Sequence, residues 1–273
     1  MGGIGALWNT LVVMPIVDAL VFLNKVLVDL GVPYSFGFAI ILLTIIIKLL
    51  TLPLTLKQLQ SMKATQELQP KLKELQKKYK GDKEKLAQAQ MELYKEAGVN
   101  PLGGCLPMLI QFPILIGFYS AIYKLADLGH LTNARFFWIP NLAFPPRGSG
   151  IGWILPNSDK FIGWGPAAAY LVLPVLLVVS QYVMQKMSTM PGTEQDSSQQ
   201  MMNQMNMLMP LLFGFFAIQV PTGLDLYWVT SNILGIIQQY YITGWGSLKP
   251  KPEPEPKEKS SPRPKKKSGK KRK

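Results

Sequence analysis

Lys48 is the residue whose chemistry is hardest to set aside. It lies within the apolar run FGFAIILLTIIIKLLTLPL, and an ammonium at the centre of a bilayer costs about 2.5 to 3.5 kcal/mol on insertion scales. Thr44, Lys48, Thr51 and Thr55 recur at i, i+4, i+7 and i+11, so on a helix they make a polar seam. A lysine there either stretches its stem to the interface or faces a hydrated space between helices, and the seam favours the second. Every Asp and Glu falls outside the apolar runs except Asp225, expected at the outer mouth of the last run, so no carboxylate neutralises Lys48 at depth. Its surroundings must then be water and uncharged groups. The candidates are Gln111, Gln181, Tyr227, Ser231 and Gln238, the last three on one face of one helix. Such groups beside Lys48 would form a hydrated, positively charged groove.

Other chemistries find no residues. One cysteine, Cys105, and one histidine, His130, exclude an intramolecular disulfide and a Cys/His zinc set. There is no GxSxG, HExxH or phosphate loop, so no enzyme and no cofactor is expected. A secondary transporter, the rival class, needs coupling residues at the midplane and an internal repeat. Neither is found.

The elements that would position Lys48 follow from composition. A content of 48% hydrophobic residues beside a net charge of +13 requires the two properties to be separated along the chain. Five apolar stretches approach the roughly 20 residues that cross a hydrocarbon core: 34–56, 104–124, 166–187, 206–222 and 224–244. The fold class is therefore all-α and polytopic. The last two stretches are divided at Pro221-Thr222-Gly223, read as a turn. Kinks are expected at Pro53, Pro107, Pro113, Pro174 and Pro210.

Residues 8–30 are apolar too, but Asp18, Lys25 and Asp29 fall within about 40° of one another on a helical wheel. A narrow charged stripe suits a helix lying in the interface. No basic n-region or small-residue cleavage site supports a signal peptide instead. Segment 57–103 is expected to form a mobile helical hairpin. Leu68, Leu72, Leu75 and Tyr79 mark one helix from about 57 to 79 with Pro70 as a possible bend, and Leu86, Gln90, Leu93 and Ala97 mark a second after Gly81-Asp82. The connection 125–165 is expected as an external loop, 188–205 as a cytoplasmic loop, and 245–273 as a disordered basic cytoplasmic tail. Segment 57–103 holds ten lysines and the tail from Lys249 onward twelve Lys or Arg, against five on the opposite side. The positive-inside rule places the N-terminus outside and the C-terminus in the cytoplasm.

The tail, with Lys265, Lys266, Lys267, Lys270, Lys271, Arg272 and Lys273 at its end, reads equally as a clamp on anionic lipid or as an electrostatic arm for RNA. Methionines gather at one junction, at Met184, Met187, Met190, Met201, Met202, Met205, Met207 and Met209. They suit either an adaptable apolar surface or gap filling between kinked helices.

Four stretches carry a resemblance: TIIIKLLTLPL from Thr44, NPLGGCLPMLIQFPI from Asn100, MNMLMPLLF from Met205 and GLDLYWVTSNILGIIQQ from Gly223. In that order and spacing the chain resembles the YidC family of membrane protein insertases, with relatives in mitochondria and chloroplasts. The resemblance implies a groove open to cytoplasm and lipid in which nascent membrane proteins are held before crossing. It also implies action alone or beside the Sec translocon, with ribosomes reached through the tail. Carried over by position, Lys48 matches the family's intramembrane basic residue, Gln111 the glutamine of QFP, and Trp228 the tryptophan of LYW. The family position is usually arginine, and lysine offers fewer donors in a more compact charge. Asp225 stands where an uncharged residue is usual. A ribosome-tethering scaffold is a further alternative, which leaves Lys48 unexplained. An N-terminus without an Arg-rich, acid-poor segment favours the bacterial plasma membrane.

Overall fold

The computed structural model describes residues 3–99, 106–131, 133–188 and 197–248, and among these the regular elements are helices. The tail residues from Lys249 onward and the Asn100–Cys105 part of the second matching stretch lie outside the described residues.

The first helical run begins with α1 (Gly3–Trp8), passes through a π turn at Asn9–Val13, and continues as α2 (Met14–Asp29). Pro15 accounts for the π turn. It has no N–H for the Leu11 carbonyl, and a wider turn gives its ring room. Val13, Val17 and Leu20 are buried, where this run packs on α3 and α7, while Asp18, Lys25 and Asp29 are all exposed. The charged stripe is therefore turned away from the bundle. By length and apolar composition the run Gly5–Asp29 is also sufficient to cross a membrane.

A tight turn with Gly31 at φ +71° and Tyr34 in the left-handed region leads into α3 (Ser35–Leu50). The Ser35 hydroxyl donates to Asn24 Oδ1 at 2.7 Å and fastens α3 to α2. The crossing expected over 34–56 is not one straight helix. It ends at Leu50, and the chain bends by 64° into α4 (Leu52–Glu67). Pro53 is the cause, since it cannot donate to the Leu49 carbonyl and favours the first turn of a new helix. The helix expected to begin at 57 thus begins at Leu52 and packs against α10 and α7.

Pro70 breaks the next helix in the same way, giving α5 (Gln69–Lys78), and Gly81 at φ +104° ends that segment. Asp82 caps α6 (Lys83–Glu96): its carboxylate accepts from the Lys85 N–H and pairs with Lys85 Nζ at 2.9 Å. The Lys85 backbone N–H holds the Asp82 carboxyl below the usual range. α5 buries Leu72, whereas α6 buries nothing. Gln66 on α4 donates to the Ser188 carbonyl at 2.6 Å, so the base of this segment is tied to the bundle.

The remaining helices are α7 (Leu106–Asp127), α8 (Trp164–Ser188), α9 (Ser197–Ala217) and α10 (Thr222–Thr243), with Pro113, Pro174 and Pro210 inside the first three. At about 1.5 Å per residue each exceeds 30 Å. By length and apolar composition, two described helices qualify as crossings, Gly5–Asp29 and Trp164–Ser188, and the bent pair α3–α4 makes a third. α9 begins with polar residues, and only Leu208–Ala217 is an apolar segment.

α10 is central, touching α3, α4, α7 and α8. Its beginning corrects the turn expected at Pro221-Thr222-Gly223. Pro221 is the N-cap, and Thr222 and Gly223 are already helical. Their N–H groups are satisfied by the 133–163 connection, Thr222 donating to the Phe144 carbonyl and Gly223 to the Leu142 carbonyl, each at 2.8 Å. A Cβ on Gly223 would stand 3.2 Å from the Leu142 oxygen and close to Ile40 and Ile122. Trp153 Nε1 donates to the Ile218 carbonyl at 2.9 Å, and Phe144 stacks on Tyr170 at 4.2 Å. The connection is thereby packed as a cap over the end of the bundle.

Candidate functional site

α3, α4, α7 and α10 enclose a cavity of about 80 Å³, well above the roughly 10–15 Å³ one water requires. Its lining is Thr44, Ile47, Lys48, Thr51, Leu54, Thr55, Gln58, Gln111, Ile114, Tyr227 and Ser231. The bend at Thr51 creates it. A straight helix would carry residues beyond Thr51 past the space, whereas the 64° turn makes α4 its second wall.

Lys48 sits in the last turn of α3, half-buried, and its ammonium forms no ion pair or hydrogen bond among the described residues. The threonines of the seam spend their protons locally: Thr44 on the Ile40 carbonyl at 2.6 Å, Thr51 on Ile47 at 2.8 Å and Thr55 on Thr51 at 3.0 Å. They face the cavity with acceptor lone pairs, which suits a neighbouring ammonium. On the far wall Gln111 Nε2 donates to the Tyr227 hydroxyl at 2.6 Å, and Tyr227 stacks on Phe118 with ring centroids 4.0 Å apart. Ser231 is buried one turn below on the same face of α10.

Six of the nine residues named from the sequence for the groove therefore meet around one space: Lys48, Thr44, Thr51, Gln111, Tyr227 and Ser231. Three do not. Trp228 is turned about 100° from Tyr227 and packs edge-on against Phe213 and Phe216 of α9, at 4.9 and 6.4 Å. Gln181 accepts from Asn232 Nδ2 at 3.0 Å, and Asn232 also donates to Ser180, so these groups join α8 to α10. Gln238 shares the face of Ser231 but lies about 10 Å further along the axis, with its carbonyl oxygen buried and unpaired among the described residues.

The structure adds Ile47, Leu54, Gln58 and Ile114. Gln58 had a signal, since Thr51, Thr55 and Gln58 stand at i, i+4 and i+7. Asp225, expected at the outer mouth of the last run, is 2% exposed in the first turn of α10, with Oδ1 unpaired among the described residues. The capping connection bonds to Thr222 and Gly223 just before it, and the helix N-terminus is the end that favours a carboxylate. Lys265, Lys266, Lys267, Lys270, Lys271, Arg272 and Lys273, along with Met190, lie outside the described residues.

Apolar helices around a cavity lined by a lysine and uncharged polar groups define the class as a helical membrane protein. The model of the 60Kd inner membrane protein family matches residues 27–248, and the chain belongs to that family. It is 45% identical over 245 residues to the inner membrane protein ALBINO3, chloroplastic, of Arabidopsis thaliana, covering 85% of this chain and 53% of that protein. It is 37% identical over 235 residues to the membrane protein insertase YidC of Syntrophobacter fumaroxidans, covering 86% of this chain and 38% of that one. The crystal structure of an active YidC insertase with its first transmembrane domain resolved superposes with a TM-score of 0.61 at 26% identity, over 86% of this chain and 47% of that one. The chain thus spans about half or less of the length of these proteins.

Proposed function

We propose that this chain is a membrane protein insertase that receives nascent membrane proteins in the cavity around Lys48 and releases them into the bilayer, without covalent chemistry. The observation that carries the reading is the Lys48 ammonium on a polar seam, half-buried and without a counter-ion among the described residues. Such a charge costs free energy to insert, and a cavity that keeps it hydrated retains it for an outside partner. Membership of a family whose bacterial relatives are named membrane protein insertases supports the same reading.

The proposed topology has five crossings: α3 with the first turns of α4, then α7, α8, the apolar part of α9, and α10. α1–α2 lies in the outer interface with Asp18, Lys25 and Asp29 towards water. The rest of α4, with α5 and α6, stands as a hairpin in the cytoplasm. Lysine counts on the two sides support this orientation. The basic tail is proposed to reach ribosomes and anionic lipid, the Sec translocon is a proposed neighbour, and the bacterial plasma membrane is the proposed location. Reconstitution of the full chain in liposomes with a small single-span substrate tests the function. Protease protection of the substrate's translocated tail should rise above that in empty liposomes, and equal protection would overturn the reading.

A further inference from the structure

The donors that face the cavity are few. The Thr44, Thr51 and Thr55 protons go to backbone carbonyls. The amide of Gln111 goes to Tyr227, and the Ser231 hydroxyl lies against that same phenol. Two nitrogens of the lining have no hydrogen-bond partner among the described residues, the Lys48 ammonium and the Nε2 of Gln58, whereas Gln111 Nε2 has spent one of its two N–H groups. Gln58 is 5% exposed, and its Nε2 is buried with no hydrogen-bond partner. A buried amide in that state carries a desolvation cost that no hydrogen bond offsets. Leucine or methionine at the same place in α4 would avoid it.

We infer that Gln58 is a substrate-positioning residue: its amide and the Lys48 ammonium together hold one carboxylate of a passing Asp or Glu side chain. The chemistry is complementary. A carboxylate has two oxygens and accepts only, and the two unspent donors come from different walls, Lys48 before the bend and Gln58 after it. Lysine alone is a point charge without directional grip. The amide supplies direction, and a hydrogen bond to a charged acceptor is stronger than one between neutral groups.

This inference rests on the insertase reading and is separable from it. Full-length wild type, Lys48→Met and Gln58→Met are reconstituted in liposomes with substrates whose translocated tail carries one Asp, or Asn at the same place. Gln58→Met keeps the length of the side chain and removes an unpaired amide, so its unfolding midpoint in detergent should be no lower than that of wild type. Insertion of the Asp tail should fall roughly ten-fold, the loss of one hydrogen bond to a charged group, while the Asn tail changes less than two-fold. Restoration by Gln58→Asn, which keeps the amide, would add support. Equal loss on both tails would make Gln58 merely structural and overturn the assignment. An unaffected Asp tail in Gln58→Met with loss in Lys48→Met would also overturn it, leaving the cationic groove in place. No loss in either variant would remove the groove reading itself.

Discussion

Replacing Lys48 by methionine tests the groove most directly, because the substitution removes a charge while keeping much of the stem. In the folded chain Lys48 faces a cavity of about 80 Å³ and has no counter-ion among the described residues. Among the described residues no ion pair is lost with its charge, and the variant is relieved of an insertion cost of about 2.5 to 3.5 kcal/mol. Its thermal unfolding midpoint should be equal to or above that of wild type. Insertion should move the other way. A carboxylate brought within about 4 Å of an ammonium at an effective dielectric of about 20 gains about 4 kcal/mol. Halving that for the hydration of both groups leaves about 2 kcal/mol, or roughly a 30-fold loss when the charge is removed. Lys48→Arg keeps the charge and adds donors, so it should match or exceed wild type. The assay is protease protection of an acidic translocated tail in liposomes, with the uncharged tail as control. Wild-type rates for Lys48→Met on the acidic tail would refute the electrostatic reasoning and leave the fold assignment untouched.

Four further outcomes are expected. A Cβ at Gly37 would enter the Phe136 ring, so Gly37→Ala should lower the unfolding midpoint by the equivalent of about 1 to 3 kcal/mol; an unchanged midpoint in a detergent melt would contradict the packing. Asp82→Ala removes the α6 cap, and amide exchange by mass spectrometry should quicken over Lys83–Glu96 with no effect on insertion. The same loss should appear in the wild type as pH falls through the lowered Asp82 value, because a depressed carboxyl stabilises only while ionised. α6 buries no residue whereas α8 buries many, so α6 should exchange far faster than α8, and equal protection would show that it docks. Deleting residues 249–273 should weaken ribosome cosedimentation in a salt-dependent way, with equal binding by the shortened chain counting against a tethering role.

The apolar runs and the seam of Thr44, Lys48 and Thr51 were legible because a 100° period needs no knowledge of neighbours. Tyr227 and Ser231 were found for the same reason. The rest depended on events between helices. Pro53 announced a kink, but not that the kink would make α4 a wall of the cavity and bring Gln58 into the same lining as Lys48. Trp228 and Tyr227 are adjacent in sequence and point to different partners, one to α9 and one to the cavity. Helix phase distinguishes them only once the position of α9 is known. Pro221-Thr222-Gly223 looked like a turn since its residues permit one. What makes it a helix start is the pair of carbonyls of Leu142 and Phe144, some 80 residues earlier.

The junction at Gly223 also bears on permeability. One turn of α3 beyond Thr44, the side chains of Ile40, Ile122 and Leu224 are fully buried and close around a glycine with the Leu142 carbonyl laid against it. None of these residues lines the cavity around Lys48, and the Thr222 and Gly223 N–H groups beside them are bonded to Phe144 and Leu142, so among the described residues the cavity stops short of this packed junction. A membrane that stores energy as an ion gradient loses it wherever a file of water runs through a protein. In the proposed insertase, a cavity that ends at three aliphatic side chains would let the Lys48 ammonium be hydrated without opening such a file.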